Sequence, residues 1–195
     1  AYDFIDCSGV SDGFDVLYFG TLALRNAENR HEIKNLIKSH SFREIFVDIN
    51  LRKPFINRES IMLCLENATI LKISDEELPL VTLQLFGKNI ACADAYDLIA
   101  QNYPKIKLIL ITQGEMGSTC YDCQNKKIYT CKAEPVTAVS TVGAGDSYGA
   151  TFLTQYLKAN DIMLSMALAS KVSAFVVSHQ EAIPNDTKEF IKSVV

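Results

Sequence analysis

One stretch of this chain has the residue types needed to hold negative charge: Thr141-Val142-Gly143-Ala144-Gly145-Asp146-Ser147. It opens a segment with helical periodicity whose apolar face carries Phe152, Leu153, Tyr156 and Leu157. The first N–H groups of a helix have no intrahelical acceptor, and the positive end of the helix dipole lies among them. Glycine lacks a Cβ, so an anion can approach the backbone closely at Gly143 and Gly145. Asp146 in the first turn has two readings, a capping group favoured by the dipole or a group that acts on whatever binds there. Capping explains the aspartate but not glycines on both sides of Ala144. No Gly-x4-Gly-Lys-Ser/Thr sequence occurs, so this is not a P-loop protein.

Other candidate residues fall just after short apolar runs. Those runs read as strands at Asp15–Phe19, ended by Gly20, at Ile45–Asp48, Ile70–Ile73 and Lys107–Thr112. Helical patterns separate them: Arg30–Ser39, with Ile33, Leu36 and Ile37 on one face; Arg58–Asn67; a helix opened by Ser74 and running to about Leu85; and Ala91–Tyr103. Alternation of this kind predicts βαβ units, a parallel sheet covered by helices. In such sheets ligands sit beyond the carboxyl ends of the strands. Downstream the rhythm changes. Ser118–Asp122 and Lys127–Cys131 read as a hairpin around Asn125, followed by helices at Ala144–Ala159, Ile162–His179 and from Thr187.

With 195 residues, 48% of them apolar, the chain can bury one sizeable core. A net charge of -4 and dispersed basic residues argue against nucleic-acid binding. No apolar run approaches the ~20 residues that a membrane span requires, and no signal-peptide pattern opens the chain. Six cysteines are expected to be reduced thiols in a cytoplasmic protein, with Cys64 and Cys92 inside helical patterns. Cys120, Cys123 and Cys131 lack a neighbouring fourth zinc ligand and read as hairpin residues. His31, His40 and His179 show no metal-binding spacing.

Thr141–Asp146 resembles the second signature of the ribokinase-like (PfkB) sugar kinases. Successive upstream blocks resemble the same family in the same order: Tyr18–Ala23, Val47–Arg52, Leu71–Glu77 and Ile111–Gly117. The resemblance implies an α/β, three-layer ribokinase-like fold, a mostly parallel sheet with helices on both faces. Residues 1–195 would be the C-terminal part of a single kinase domain. The family chain normally begins well before Ala1, and its front part carries early strands, a sugar-covering lid and several sugar contacts. The chain alone is therefore expected not to phosphorylate sugar at a useful rate.

The resemblance also implies roles. Asp146 would take the proton from the attacking sugar hydroxyl, and the N–H groups of Gly143, Ala144 and Gly145 would hold the transferring phosphoryl charge. Thr112, Gly114 and Gly117 would lie beside the nucleotide. Lys72 would reach a phosphate, Asn50 and Arg52 the substrate, and Glu77 the water shell of Mg²⁺. ATP and a sugar are the expected partners, and self-association is left open. Several of these residues have local readings too. Ser74-x-x-Glu77 is a capping box, Asp48 and Asn50 fit a turn, and Gly114 and Gly117 fit a bend into the hairpin.

Three departures from the family pattern stand out. Ser140 replaces an aspartate that often belongs to a monovalent-cation site, so little activation by potassium is expected. Ser74 replaces the asparagine before Glu77, and Glu181 stands where glycine is common near the adenine pocket. Asp48–Arg52 with Lys53-Pro54-Phe55 looks most like fructokinase-type members. Fructose is thus the leading acceptor. A nucleoside or other small molecule, or a non-catalytic nucleotide-binding fragment, is the alternative.

Overall fold

The computed structural model describes residues 3–90 and 93–194. Six strands form one sheet in the sequential order β1 (Val16–Gly20), β2 (Glu44–Asp48), β3 (Ile70–Ser74), β4 (Leu108–Thr112), β5 (Ser118–Asp122) and β6 (Lys127–Cys131). Between and after them lie α1 (Ala27–Ser39), α2 (Arg58–Asn67), α3 (Leu78–Phe86), α4 (Ala93–Asn102), α5 (Ala144–Ala159), α6 (Ile162–Val177) and α7 (Thr187–Val194). The residues pack as two compact units. One holds the chain up to Leu110 together with Tyr121–Lys127; the other holds Ile111–Cys120 and the chain from Ile128 onward.

In the first unit β1, β2 and β3 pair in parallel, with Tyr18 opposite Phe46 and Asp48 opposite Lys72. Each crossover contains a helix, as a parallel connection requires. Successive side chains of a strand point to opposite faces. Phe46, Val47, Ile70, Leu71, Ile73, Ile109 and Leu110 are all buried, so β2 to β4 are covered on both faces. The β1 strand, paired on one side only, leaves Tyr18 partly exposed. Helices α1 and α2 start where an asparagine side chain accepts a backbone N–H: Asn26 from Asn29, and Asn57 from Glu59, both at 2.8 Å.

The β4–β5 and β5–β6 links are too short for a crossover, so these pairs run antiparallel. The Gln113 N–H to Gly117 carbonyl and Cys123 N–H to Lys107 carbonyl bonds keep that register. In the second unit α5 and α6, joined only by Asn160 and Asp161, pack along their lengths around Phe152, Met166, Ala169, Val172 and Val176. Asn160 adopts the left-handed conformation that ends α5, and Asp161 caps α6 through the Leu164 N–H.

Strand positions match expectation to within a residue at most ends. Three helix boundaries differ by more than one residue. The helix placed at Ser74 begins at Leu78. Pro79 explains the shift, since its ring and missing N–H are tolerated only in a first turn. Capped by Asn26, α1 starts at Ala27, three residues before Arg30, and α6 ends at Val177, before His179. The helix placed at Ala91 is described from Ala93, and Cys92 lies outside the described residues. Cys64 is buried in α2 as a free thiol. Two short 3₁₀ turns, Thr21–Leu24 and Gly114–Met116, were not anticipated. Among the described residues no helix is long and apolar enough to cross a membrane.

Phe46 is fully buried in β2, with its ring stacked 5.1 Å from that of Tyr18. Phe46→Ala should lower unfolding stability by ~3–5 kcal/mol, read as a shifted urea midpoint at unchanged slope.

Candidate active site

The candidate residues of the first unit gather where β1, β2 and β3 stop. Lys72 Nζ lies 2.7 Å from Asp48 Oδ2, and both side chains are more than nine-tenths buried. The Tyr18 hydroxyl donates to the same Asp48 oxygen at 3.1 Å. Burial pushes the Asp48 carboxyl above the ordinary carboxylate range, while Lys72 and Tyr18 pull against it. Lys72 therefore reaches the carboxyl end of the sheet as a cation already partnered. Asp48 and Tyr18 complete a group of which Lys72 alone was singled out as a ligand.

Beyond Asp48 the chain turns through Ile49, Asn50 and Leu51, with Asn50 at φ 43°. Thr21 holds one side of this turn: its hydroxyl donates to the Ile49 carbonyl at 2.7 Å. Glu77 holds the other. Its Oε1 accepts the Leu51 N–H at 2.6 Å and its Oε2 accepts the Ser74 N–H at 2.9 Å. The Glu77 N–H returns a bond to Ser74 Oγ at 3.2 Å, so the capping-box pairing is present, in the turn before α3. Arg52 is exposed, and its carbonyl accepts the Phe55 N–H across a turn containing the cis Lys53–Pro54 bond. The structure thus brings Asn50, Arg52 and Glu77 to one loop, with the Asp48–Lys72 pair at its root.

The second unit holds the other candidates. Thr112 is half-buried at the end of β4, and Gly114 and Gly117 flank the bend into β5. Gly117 sits at φ 102°, where a Cβ would collide with the Cys131 carbonyl, so the bend demands glycine. Gly143 is at φ 85° as the residue before α5, and a Cβ there would come within 3.0 Å of the Ala182 carbonyl oxygen. The Gln180-Glu181-Ala182 segment therefore lies against the glycine motif.

At the start of α5 the Ala144 N–H donates to the Thr141 carbonyl at 3.3 Å, and the Ser147 N–H to the Gly143 carbonyl. Among the described residues the N–H groups of Gly143, Gly145 and Asp146 have no acceptor. Asp146 is exposed and makes no hydrogen bond or ion pair among the described residues. It makes no side-chain cap bond and stands in the first turn of α5, where the helix dipole favours a carboxylate. Ser118 Oγ and the Tyr148 hydroxyl lie 2.6 Å apart, tying the start of β5 to α5. Burial raises the Tyr148 phenol above its ordinary range. No local pattern marked Ser118 or Tyr148. The Ser140 hydroxyl oxygen accepts the Val142 N–H at 3.3 Å.

A mostly parallel sheet flanked by helices, with polar residues gathered at strand ends, is the architecture of an α/β protein. The chain belongs to the pfkB family of carbohydrate kinases, whose family model matches residues 13–188. A fructokinase of Rhizobium leguminosarum bv. trifolii is 30% identical over 173 residues, covering 85% of this chain and 49% of the relative. A probable chloroplastic fructokinase-6 of Arabidopsis thaliana is 33% identical over 163 residues, covering 74% of this chain and 39% of the relative. Among solved structures, a Vibrio cholerae O395 fructokinase in fructose-, ADP- and calcium-bound form superposes with a TM-score of 0.81 at 18% identity. It covers 98% of this chain and 65% of that one. The fold is accordingly the mostly parallel ribokinase-like α/β fold. The chain spans half or less of the length of these curated relatives.

The buried pair at the strand ends is directly testable. Lys72→Met should destabilise the protein by ~3–5 kcal/mol, because it strands a buried carboxylate. The double variant Lys72→Met/Asp48→Asn should recover most of that loss in the same urea titration. A fully additive pair would show that the contact is energetically empty.

Proposed function

We propose that this chain carries the phosphoryl-transfer machinery of an ATP-dependent sugar kinase, with fructose as the acceptor. The observation that carries the proposal is Asp146, an exposed carboxylate free of protein partners beside the open N–H groups of Gly145 and Asp146 itself. In this reading Asp146 accepts the proton of the sugar hydroxyl as that oxygen bonds to the γ-phosphorus of ATP. The bond from phosphorus to the bridging oxygen breaks, and ADP leaves. The open N–H groups and the positive end of the α5 dipole stabilise charge on the transferring group. Ala144 contributes less than Gly143 and Gly145, since its N–H is turned towards Thr141. Thr112, Gly114 and Gly117 shape the nucleotide side.

Lys72 is placed to meet phosphate only by loosening from Asp48, and Asn50 and Arg52 face the sugar. A carboxylate offers about four lone-pair sites. Two of those on Glu77 are taken by backbone N–H groups, so it fits beside Mg²⁺ through water. Among the described residues no group of three or more His, Cys, Asp or Glu could hold a metal ion directly. When bound with ATP, Mg²⁺ supplies charge neutralisation on the phosphates. The Ser140 hydroxyl carries no charge, which supports little activation by potassium. A cytoplasmic location fits the free thiols.

Fructose as acceptor rests on the relatives at 30–33% identity that are named fructokinases. A relative named 5-dehydro-2-deoxygluconokinase, 35% identical over 91 residues, keeps other acceptors in view. In native-length protein, Asp146→Asn should retain ATP binding by calorimetry and lose ~10²–10⁴-fold in fructose-dependent ADP release. Near-normal turnover would remove Asp146 from the mechanism. The 195-residue chain should turn over fructose far more slowly than the Rhizobium relative assayed beside it, because it matches 49% of that relative's length. Comparable rates would place the sugar contacts wholly within these residues.

A further inference from the structure

Glu77 does more than close a local turn. Its two carboxylate oxygens are divided between segments far apart in sequence: Oε2 accepts the Ser74 N–H at the end of β3, and Oε1 accepts the Leu51 N–H, 26 residues upstream. The second bond is the shorter, at 2.6 Å, as expected of a charge-assisted contact. It falls in the middle of Asn50-Leu51-Arg52, a segment that has left the sheet. Its ladder partners have run out: the last strand-like contacts are the Ile49 N–H to the Lys72 carbonyl and the Thr21 N–H to the Ile49 carbonyl. Past Ile49 the chain passes through the positive φ of Asn50, then an exposed Arg52, and returns through the turn to Phe55. Between Ile49 and that turn, two side chains fix the backbone. Thr21 is neutral and holds the Ile49 and Asn50 carbonyls, the latter at 3.4 Å. Glu77 is charged and holds the only N–H group of the three-residue segment with a hydrogen bond among the described residues.

We infer that Glu77 is the latch of the Asn50–Arg52 loop, a positioning residue that sets where Asn50 and Arg52 present their side chains. The effect on substrate rests on the reading above, in which those two residues face the sugar; the latch itself does not. Replacing the carboxylate by an amide keeps the volume but leaves one oxygen for two N–H donors, and turns the other terminus into a donor. Glu77→Gln must therefore release either Leu51 or Ser74. Glu77→Ala releases both. Thr21→Val removes the opposite restraint while keeping a β-branched side chain of the same shape. The exposed neighbour Glu76, which makes no hydrogen bond among the described residues, is the control as Glu76→Gln.

The experiment is hydrogen–deuterium exchange of the peptide covering residues 49–56, followed in native-length protein for the wild type and these four variants, each first checked for a cooperative thermal transition. Glu77→Ala and Thr21→Val should each speed exchange in this peptide by about tenfold or more, as loss of a strong restraint implies. Glu77→Gln should fall between, and Glu76→Gln should match the wild type. Steady-state assays in parallel should then show the KM for fructose rising by a similar factor in both Glu77 variants. In Thr21→Val, which removes the loop's other restraint and no group placed near the metal, the KM for fructose should rise likewise, while the KM for ATP and the half-saturating magnesium concentration move less than about twofold. Unchanged exchange of residues 49–56 in both Glu77 variants overturns the latch. So does a changed magnesium requirement with exchange at the wild-type rate, which leaves Glu77 a metal-side residue only. Faster exchange in a protein whose wild type shows no sugar-dependent turnover upholds the latch and sinks the kinase reading, so the two failures are separable.

Discussion

A parallel strand that stops leaves backbone groups with no ladder to join, and buried polar groups must find partners. At the carboxyl ends of β1, β2 and β3 this constraint organises everything of functional interest in the first unit. The Ile49 N–H goes to the Lys72 carbonyl, the Thr21 N–H and hydroxyl to the Ile49 carbonyl, and the Leu51 N–H to Glu77. The same edge brings a lysine and an aspartate out of water together. Neither could be buried alone, because desolvating an unpaired charge costs several kcal/mol. The pairing register places Asp48 directly opposite Lys72, so the strand alignment that builds the core also builds the ion pair.

The second unit meets a similar demand at the start of α5 in the opposite way. There the N–H groups of Gly143, Gly145 and Asp146 have no acceptor among the described residues. Gly143 turns the chain into α5 through positive φ against Ala182. Ser173 Oγ and Ser147 Oγ both donate to the Ala144 carbonyl, which anchors the first turn of α5 without occupying its N–H groups. Backbone groups are thus satisfied at the strand-end cluster and left without acceptors among the described residues at the helix start.

Legibility in the sequence followed distance along the chain. The Gly143–Asp146 motif, the capping box of Ser74 and Glu77, and the hairpin from Ser118 to Cys131 are each encoded within a few residues, and each appears where it was read. Strands buried on both faces were legible because continuous apolar runs leave few other options. Contacts that span the fold were not. Tyr18, Asp48 and Lys72 are separated by 30 and 24 residues, and only the register brings them together. The bond from Leu51 to Glu77 has no periodic signature at either end. Ser118 and Tyr148, 30 residues apart, are each unremarkable alone. The late start of α3 is legible in Pro79, although the Ser74–Glu77 pairing upstream carries the stronger local cap pattern.

The two-residue link between α5 and α6 has a kinetic meaning. Every strand pairing in the parallel part of the sheet must close a loop that includes a whole helix, and loop closure costs entropy before any contact is made. The α5–α6 pair closes over Asn160 and Asp161 alone, with a left-handed stop on one side and a capping carboxylate on the other. Low sequence separation of contacts goes with fast folding. The helical hairpin bearing the glycine motif is thus the part of the chain able to acquire native packing on the shortest timescale. The aligned ends of β1 to β3 must wait for the slowest searches the topology imposes.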